Sequence, residues 1–371
     1  MLTNATSSNE LSAFYVVYKG SCHIEDKGQY GISHLMEHLV CKGFEPLMDE
    51  FEACAIDWNA YTSQNEIVFF LSGLDEHVAR LKEPFLKGLY NFNITEEELE
   101  KEKSIVLAEY KQSFSETTQG HYMCLMRKYF DFYSPIGEAQ AIQNVSLQNC
   151  NEFYQKQFAK PSQIINISKN SPFDLQVAYA DPIQYRKYSM QECADYRGED
   201  YPLMQGAESI MMFRDEIPKE LSFMNRFVAS ILCGGLTSPF YKVIREKYGL
   251  VYNMSLMPTY LGEQCYPVFL TMAPTENVDA IKEAAHEVSS NIKELLTFDD
   301  FLKFKSHLKN AFKIQEQYQH EDAEAHINPD VKKLKANLQA IDYDQIMEFI
   351  GEYYDMSSWN TSLGSELVNQ R

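Results

Sequence analysis

At 371 residues the chain is too long for one compact core and suits two domains, and its 45% apolar residues, with 24 Tyr and 23 Phe, are ample for their cores. Its 53 acidic and 33 basic residues leave a net charge of −20, which excludes nucleic acid and anionic membranes as expected partners and weakly favours basic or unfolded peptides. The opening residues 1–10 carry no basic segment followed by an apolar run, no stretch reaches the length of a membrane span, and the eight cysteines form no Cys-x-x-Cys pair. The expectation is a cytoplasmic protein with reduced thiols.

In chain order, the apolar run Leu11–Tyr18 reads as a buried strand ending at Gly20-Ser21. A helix follows within Gly31–Gly43, then a short one over Pro46–Ala55, then strands at Trp58–Ser63 and Glu66–Leu71. Asp75–Tyr90 reads as a helix, and Thr95-Glu-Glu-Glu98 is a capping box opening a longer one. A helix over Ser146–Phe158 and a strand over Gln163–Ser168 close this half. Residues 171–205, with Pro172, Pro182, Gly198 and Pro202 and little periodicity, read as a linker.

The order then recurs over 206–371: a strand at Ser209–Phe213, helices at Pro218–Leu232 and Pro239–Lys247, and strands at Leu250–Met257 and Pro267–Met272. Helices over Glu276–Leu295, Phe298–Tyr318 and Tyr343–Tyr354 complete it. The fold expected is α+β, in two structurally related halves (1–170 and 206–371), each a mainly antiparallel sheet covered by helices.

The chemistry concentrates in His34-Leu-Met-Glu-His38. Helical residues four apart share a face, so His34 and His38 can offer two imidazoles to one metal ion. Glu37 reaches the same side and is placed to take a proton from water there, the H-x-x-E-H arrangement. A two-histidine zinc site needs a third protein ligand. The helix opening at Thr95 carries Glu102 and Glu109 beside its apolar stripe of Leu99, Val106 and Tyr110, two turns apart and pointing the same way. Periodicity alone leaves open whether these carboxylates face the histidines or the solvent. His320-Glu-Asp-Ala-Glu-Ala-His326 begins like an H-E-x-x-H motif, but its histidines are six apart and lie on different helical faces, so it reads as a solvated acidic segment. His23, His77, His121, His286 and His307 have no ligand-spaced partner.

Gly20-Ser21, Gly31-x-x-His34-x-x-Glu37-His38 and Lys42-Gly43 together resemble the start of the inverzincin peptidases, the pitrilysin family that includes insulin-degrading enzyme and the mitochondrial processing peptidase. Glu109 lies 71 residues after His38 and Glu102 seven before Glu109, spacings similar to the family's zinc-ligating Glu and its additional active-site Glu. Asn59-Ala60-Tyr61-Thr62 stands where the family has its substrate-pairing strand. Gly234-Gly235 through Arg245 to Tyr252 resembles its Gly-rich turn and Arg/Tyr pair.

The resemblance implies a half-size zinc metalloendopeptidase, with Zn2+ held by His34, His38 and Glu109. Glu37 is then the proton acceptor and Glu102 a support for the ligands. Extended peptide pairs with Asn59, Ala60 and Tyr61, and Arg245 and Tyr252 hold the substrate carbonyl. It further implies a homodimer, or a heterodimer with a zinc-less homologue, closing around unfolded or short peptides. The alternative is a non-catalytic scaffold or partner subunit, for the family includes zinc-less members, although no ligand is lost here. Two features depart from the pattern. The chain is short for a half-size member, and Cys41 replaces an aromatic or apolar residue and reads as core.

Overall fold

A computed structural model of the chain describes residues 1–7, 9–115, 117–193, 196, 198, 205–316 and 326–368. The chain forms two compact units, one of residues 1–112, 133–186 and 313–328, the other of 113–132, 187–312 and 329–371. Neither is continuous in sequence, so 113–132 and 313–328 fall on the opposite side from a division into 1–170 and 206–371.

The first unit is built on a five-stranded sheet of β1 (Leu2–Thr6), β2 (Leu11–Lys19), β3 (Asp57–Thr62), β4 (Glu66–Leu74) and β5 (Gln163–Ser168), in the order β1-β5-β2-β4-β3. β1 and β5 are parallel and every other pair is antiparallel. The unbroken apolar run of β2 has a simple cause: both faces of this central strand are covered. Phe14, Val16 and Tyr18 join the main core, while Ala13, Tyr15 and Val17 pack with Val68, Ile165, Ile167 and Ile327 on the other face.

Helices α1 (Ile32–Cys41), α2 (Met48–Ala53), α3 (Asp75–Leu89), α4 (Glu96–Ser115, its last three residues in the second unit), α6 (Ala139–Asn144) and α7 (Leu147–Gln157) belong to this unit, and α5 (Thr117–Phe130) belongs to the second. Thr95 and Glu98 form the expected capping box of α4: the Thr95 N–H donates to Glu98 Oε2 at 2.7 Å and the Glu98 N–H to Thr95 Oγ1 at 3.2 Å. Gly43, just past α1, lies so close to α3 that an added Cβ would stand 2.1 Å from the Gly88 carbonyl oxygen. Only glycine fits there.

The second unit carries a four-stranded antiparallel sheet of β6 (Ala207–Phe213), β7 (Met254–Leu261), β8 (Gln264–Pro274) and β9 (Asn360–Leu363), ordered β7-β8-β6-β9. Its helices are α8 (Ser222–Cys233), α9 (Val278–Ser290), α10 (Ile292–Leu295), α11 (Phe298–Gln315), α12 (Pro329–Asn337) and α13 (Tyr343–Tyr353), and Tyr241–Lys247 forms a π-helical stretch. The α+β class expected from the sequence is the one observed, and the order strand, helix, two strands, helix recurs in the two units. No helix among the described residues is long and apolar enough to cross a membrane. The histidine-containing segment 320–326 lies outside the described residues except for His326.

Several elements differ from the expectation. β7 begins at Met254 rather than Leu250 and runs through Pro258, which is tolerated because β7 is an edge strand and needs no ladder donor there. β1, α5, α6, α12 and β9 are additional. In α5 the residues from Met123 to Met126 are all buried, so the helix shows no one-sided apolar stripe from which to read it.

His121 of α5 is fully buried between Ser209 Oγ of β6 (2.8 Å from Nδ1) and Ser362 Oγ of β9 (3.2 Å from Nε2). Burial lowers its pKa from 6.5 to about 3. The unfolded chain therefore binds this proton more readily than the folded one, so stability is lost as pH falls below 6.5 towards 3. One such group costs up to about 2 kcal/mol between pH 6.5 and 5. Denaturant unfolding at the two pH values should show this loss, and His121→Gln should reduce it; an unchanged pH dependence in that variant would contradict the assignment.

Candidate metal and peptide site

The site is confined to the first unit and begins with the orientation of α1. Leu35, Met36, Leu39 and Val40 of α1 are buried in the core, which fixes the helix about its axis and turns His34 and His38 away from the sheet. Gly31, in the left-handed region at φ 98°, starts the helix where an added Cβ would stand 3.0 Å from Gly137 Cα. Glu25 braces this end, its carboxylate accepting from the N–H groups of Gly31 (3.1 Å) and Ser33 (2.9 Å). This brace was not visible in the sequence, because nothing in the spacing of Glu25 ties it to the helix.

Opposite α1 lies α4, with Leu99 and Val106 buried in the same core. That rotation brings Glu102 and Glu109 to the histidines, which answers the question periodicity left open. His34 Nε2 is 3.4 Å from Glu109 Oε2, and His38 Nε2 is 3.8 Å from Glu109 Oε1. Each of these three residues offers one ligand atom, all within 4.8 Å of one another. The separations approach the roughly 3.4 Å edge of a tetrahedron with ligand bonds of about 2.1 Å. Two imidazoles and a carboxylate make a donor set suited to zinc.

Electrostatics agree with that chemistry. Burial, with the neighbouring His38 adding to it, lowers the pKa of His34 to about 4, so its ring is neutral and able to ligate at neutral pH. Burial raises the Glu37 carboxyl above its ordinary value; Thr62 and His38 oppose the rise and Glu109 adds to it. Thr62 Oγ1 donates to Glu37 Oε2 at 2.7 Å, fixing the carboxylate from β3. Glu102 Oε2 is 3.4 Å from His38 Nδ1, and Glu102 Oε1 is 3.2 Å from Lys42 Nζ. The Nδ1 of His34 is buried with no hydrogen-bond partner among the described residues.

Among the described residues β3 is an edge strand, paired only with β4, and it carries Asn59, Ala60 and Tyr61. Glu37, His38, Cys41, Lys42, Trp58, Asn59, Ala60 and Glu102 are among the residues lining a groove of about 400 Å³ between β3 and the histidine helix. Cys41, read as core, packs against the core and also lines this groove.

Arg245 and Tyr252 belong to the second unit. The Arg245 guanidinium lies 5.4 Å from the ring centroid of Tyr241 and 5.1 Å from that of Tyr252, so the pair is brought together as a cation–π contact. Tyr252 is 84% exposed. Lys247 and Tyr248 both reach Glu287 of α9, at 2.7 and 2.6 Å, and tie down the π-helical stretch that bears Arg245.

Residues 1–133 match the sequence model of the insulinase family, peptidase family M16. A Rickettsia felis protein named an uncharacterized zinc protease is 22% identical over 339 residues, 84% of this chain and 80% of that protein. The fold is shared with a protease from Helicobacter pylori (TM-score 0.77, 15% identity, 98% of this chain and 96% of that one). It is shared also with a peptidase M16 inactive domain from Pseudomonas fluorescens (TM-score 0.74, 14% identity, 98% and 94%). The likeness to the insulinase family is thus carried in sequence by residues 1–133, and the likeness to the solved structures is one of fold.

Proposed function

We propose that this chain is a zinc metalloendopeptidase acting on extended peptides. The observation that carries the reading is the convergence of His34, His38 and Glu109 on one point with Glu37 beside it. Zinc held by these three residues would supply Lewis-acid polarisation and lower the pKa of water to about 7.

The rest is done by the chain. Edge strand β3 offers its outer edge to an extended peptide, which would add as a further strand and be read mainly through its main chain. This places the scissile bond over the groove beside His38. Glu37, held at Oε2 by Thr62, takes a proton at its other oxygen from the water attacking the carbonyl and returns it to the leaving amine. The raised Glu37 carboxyl is a better base for this transfer than an ordinary carboxylate. Glu102 steadies His38 from its Nδ1 side. Arg245 and Tyr252 hold the substrate carbonyl, acting across a homodimer in which one subunit's pair serves the other subunit's site.

The fold is also used by an inactive M16 domain, so a scaffold or partner-subunit role is the second reading. Such a role has no use for a full donor set with an adjacent base, and that set is present here.

Glu37→Gln should keep zinc while kcat falls by about 10²- to 10⁴-fold on a peptide library read by mass spectrometry; full activity would sink the role of Glu37. Thr62→Val, which removes the donor to Glu37, should lower kcat roughly tenfold with zinc content unchanged. No change in kcat would show that the hydrogen bond does not matter to the base. Mixing Glu37→Gln chains with Arg245→Ala chains should restore part of the activity absent from each alone. A mixture as inactive as its components would count against action across subunits.

A further inference from the structure

Lys42 has no role in the reading so far, yet it continues the row of His34 and His38 one helical turn further on. Three residues spaced by four, on α1 and just past its end, thus face two carboxylates spaced by seven on α4. The pairing is ordered: His34 with Glu109, His38 with Glu109 and Glu102, Lys42 with Glu102.

Glu102 is buried, with only 11% of its side chain exposed, and such a carboxylate is costly unless donors compensate it. The two Glu102 oxygens divide their partners, Oε1 to Lys42 Nζ at 3.2 Å and Oε2 to His38 Nδ1 at 3.4 Å. Lys42 itself is 18% exposed, and its other carboxylate neighbour, Glu45, is 4.0 Å away and mostly solvated. At the C-terminal end of α1 an ammonium group is also favoured by the helix dipole.

We propose that Lys42 is a positioning residue that holds Glu102 in place, so that Glu102 accepts from His38 Nδ1–H and presents His38 Nε2 to the metal. This rests on the zinc reading given under Proposed function. A carboxylate behind a ligating histidine fixes its tautomer and ring orientation and raises its basicity. With an ammonium behind the carboxylate, the triad extends by one residue, Lys42 to Glu102 to His38. Lys42 acts only through Glu102, and so its loss and the loss of Glu102's charge should not add.

The test is the zinc dissociation constant, measured by competition with a chromophoric chelator, for wild type, Lys42→Met, Lys42→Arg, Glu102→Gln and the Lys42→Met/Glu102→Gln double variant. Circular dichroism checks folding, and Lys42→Gln replaces the Met variant if that one fails to fold. Lys42→Met should weaken zinc binding by about 10- to 100-fold. Lys42→Arg should stay near wild type, and the double variant should bind as Glu102→Gln does. Wild-type affinity in Lys42→Met, or multiplied losses in the double variant, would overturn the proposal. So would unchanged affinity with a raised KM for peptides, which would make Lys42 a substrate contact. Wild type that binds no zinc, or His38→Ala that binds it as tightly as wild type, would overturn the zinc reading itself and this proposal with it.

Discussion

The first unit depends on one constraint: the facing row of donors on α1 and acceptors on α4. The buried Glu102 carboxylate and the largely buried imidazoles are each expensive alone, and each is made tolerable by its partners. Core packing sets the rotation of both helices, through Leu35, Met36, Leu39 and Val40 on one and Leu99 and Val106 on the other. The polar row is the consequence of that packing. Apolar burial supplies the free energy, and the site's geometry follows from which residues are left facing the neighbouring helix.

The sheet places the second requirement beside the first. β3 is left at the edge, next to α1, and its Thr62 hydroxyl bonds the Glu37 carboxylate. One strand thus joins the surface open to an extended peptide with the group proposed as base. Exposed edges are usually a liability, and this one is short and flanks a groove with several charged walls. In the second unit the comparable investment is in the π-helical stretch 241–247, held by Glu287 and presenting Arg245 between two tyrosine rings. Such helical irregularities occur often at functional positions.

Much of this was legible in the sequence, for identifiable reasons. The spacings of His34, His38, Glu102 and Glu109 are helical arithmetic, and the capping box at Thr95 fixes where α4 begins. Periodicity did not decide which way α4 faces; the core contacts of Leu99 and Val106 did. Glu25, Lys42 and Thr62 were not assigned roles from the sequence, because their partners lie in other elements or beyond the regular helix. α5 was missed since it is buried on more than one side, and β1 and β9 because short polar strands carry little alternation. β7 starts later than the apolar run suggests because Leu250 and Val251 belong to the irregular stretch after Gly249, which has φ 63°.

His34, His38 and Glu109 are proposed to bind one zinc ion, and anomalous diffraction at the zinc edge from crystals of the zinc-loaded protein would show it. One strong peak is expected about 2.0–2.2 Å from the Nε2 atoms of His34 and His38 and from a Glu109 carboxylate oxygen. No peak there, or zinc held by other residues alone, would contradict it.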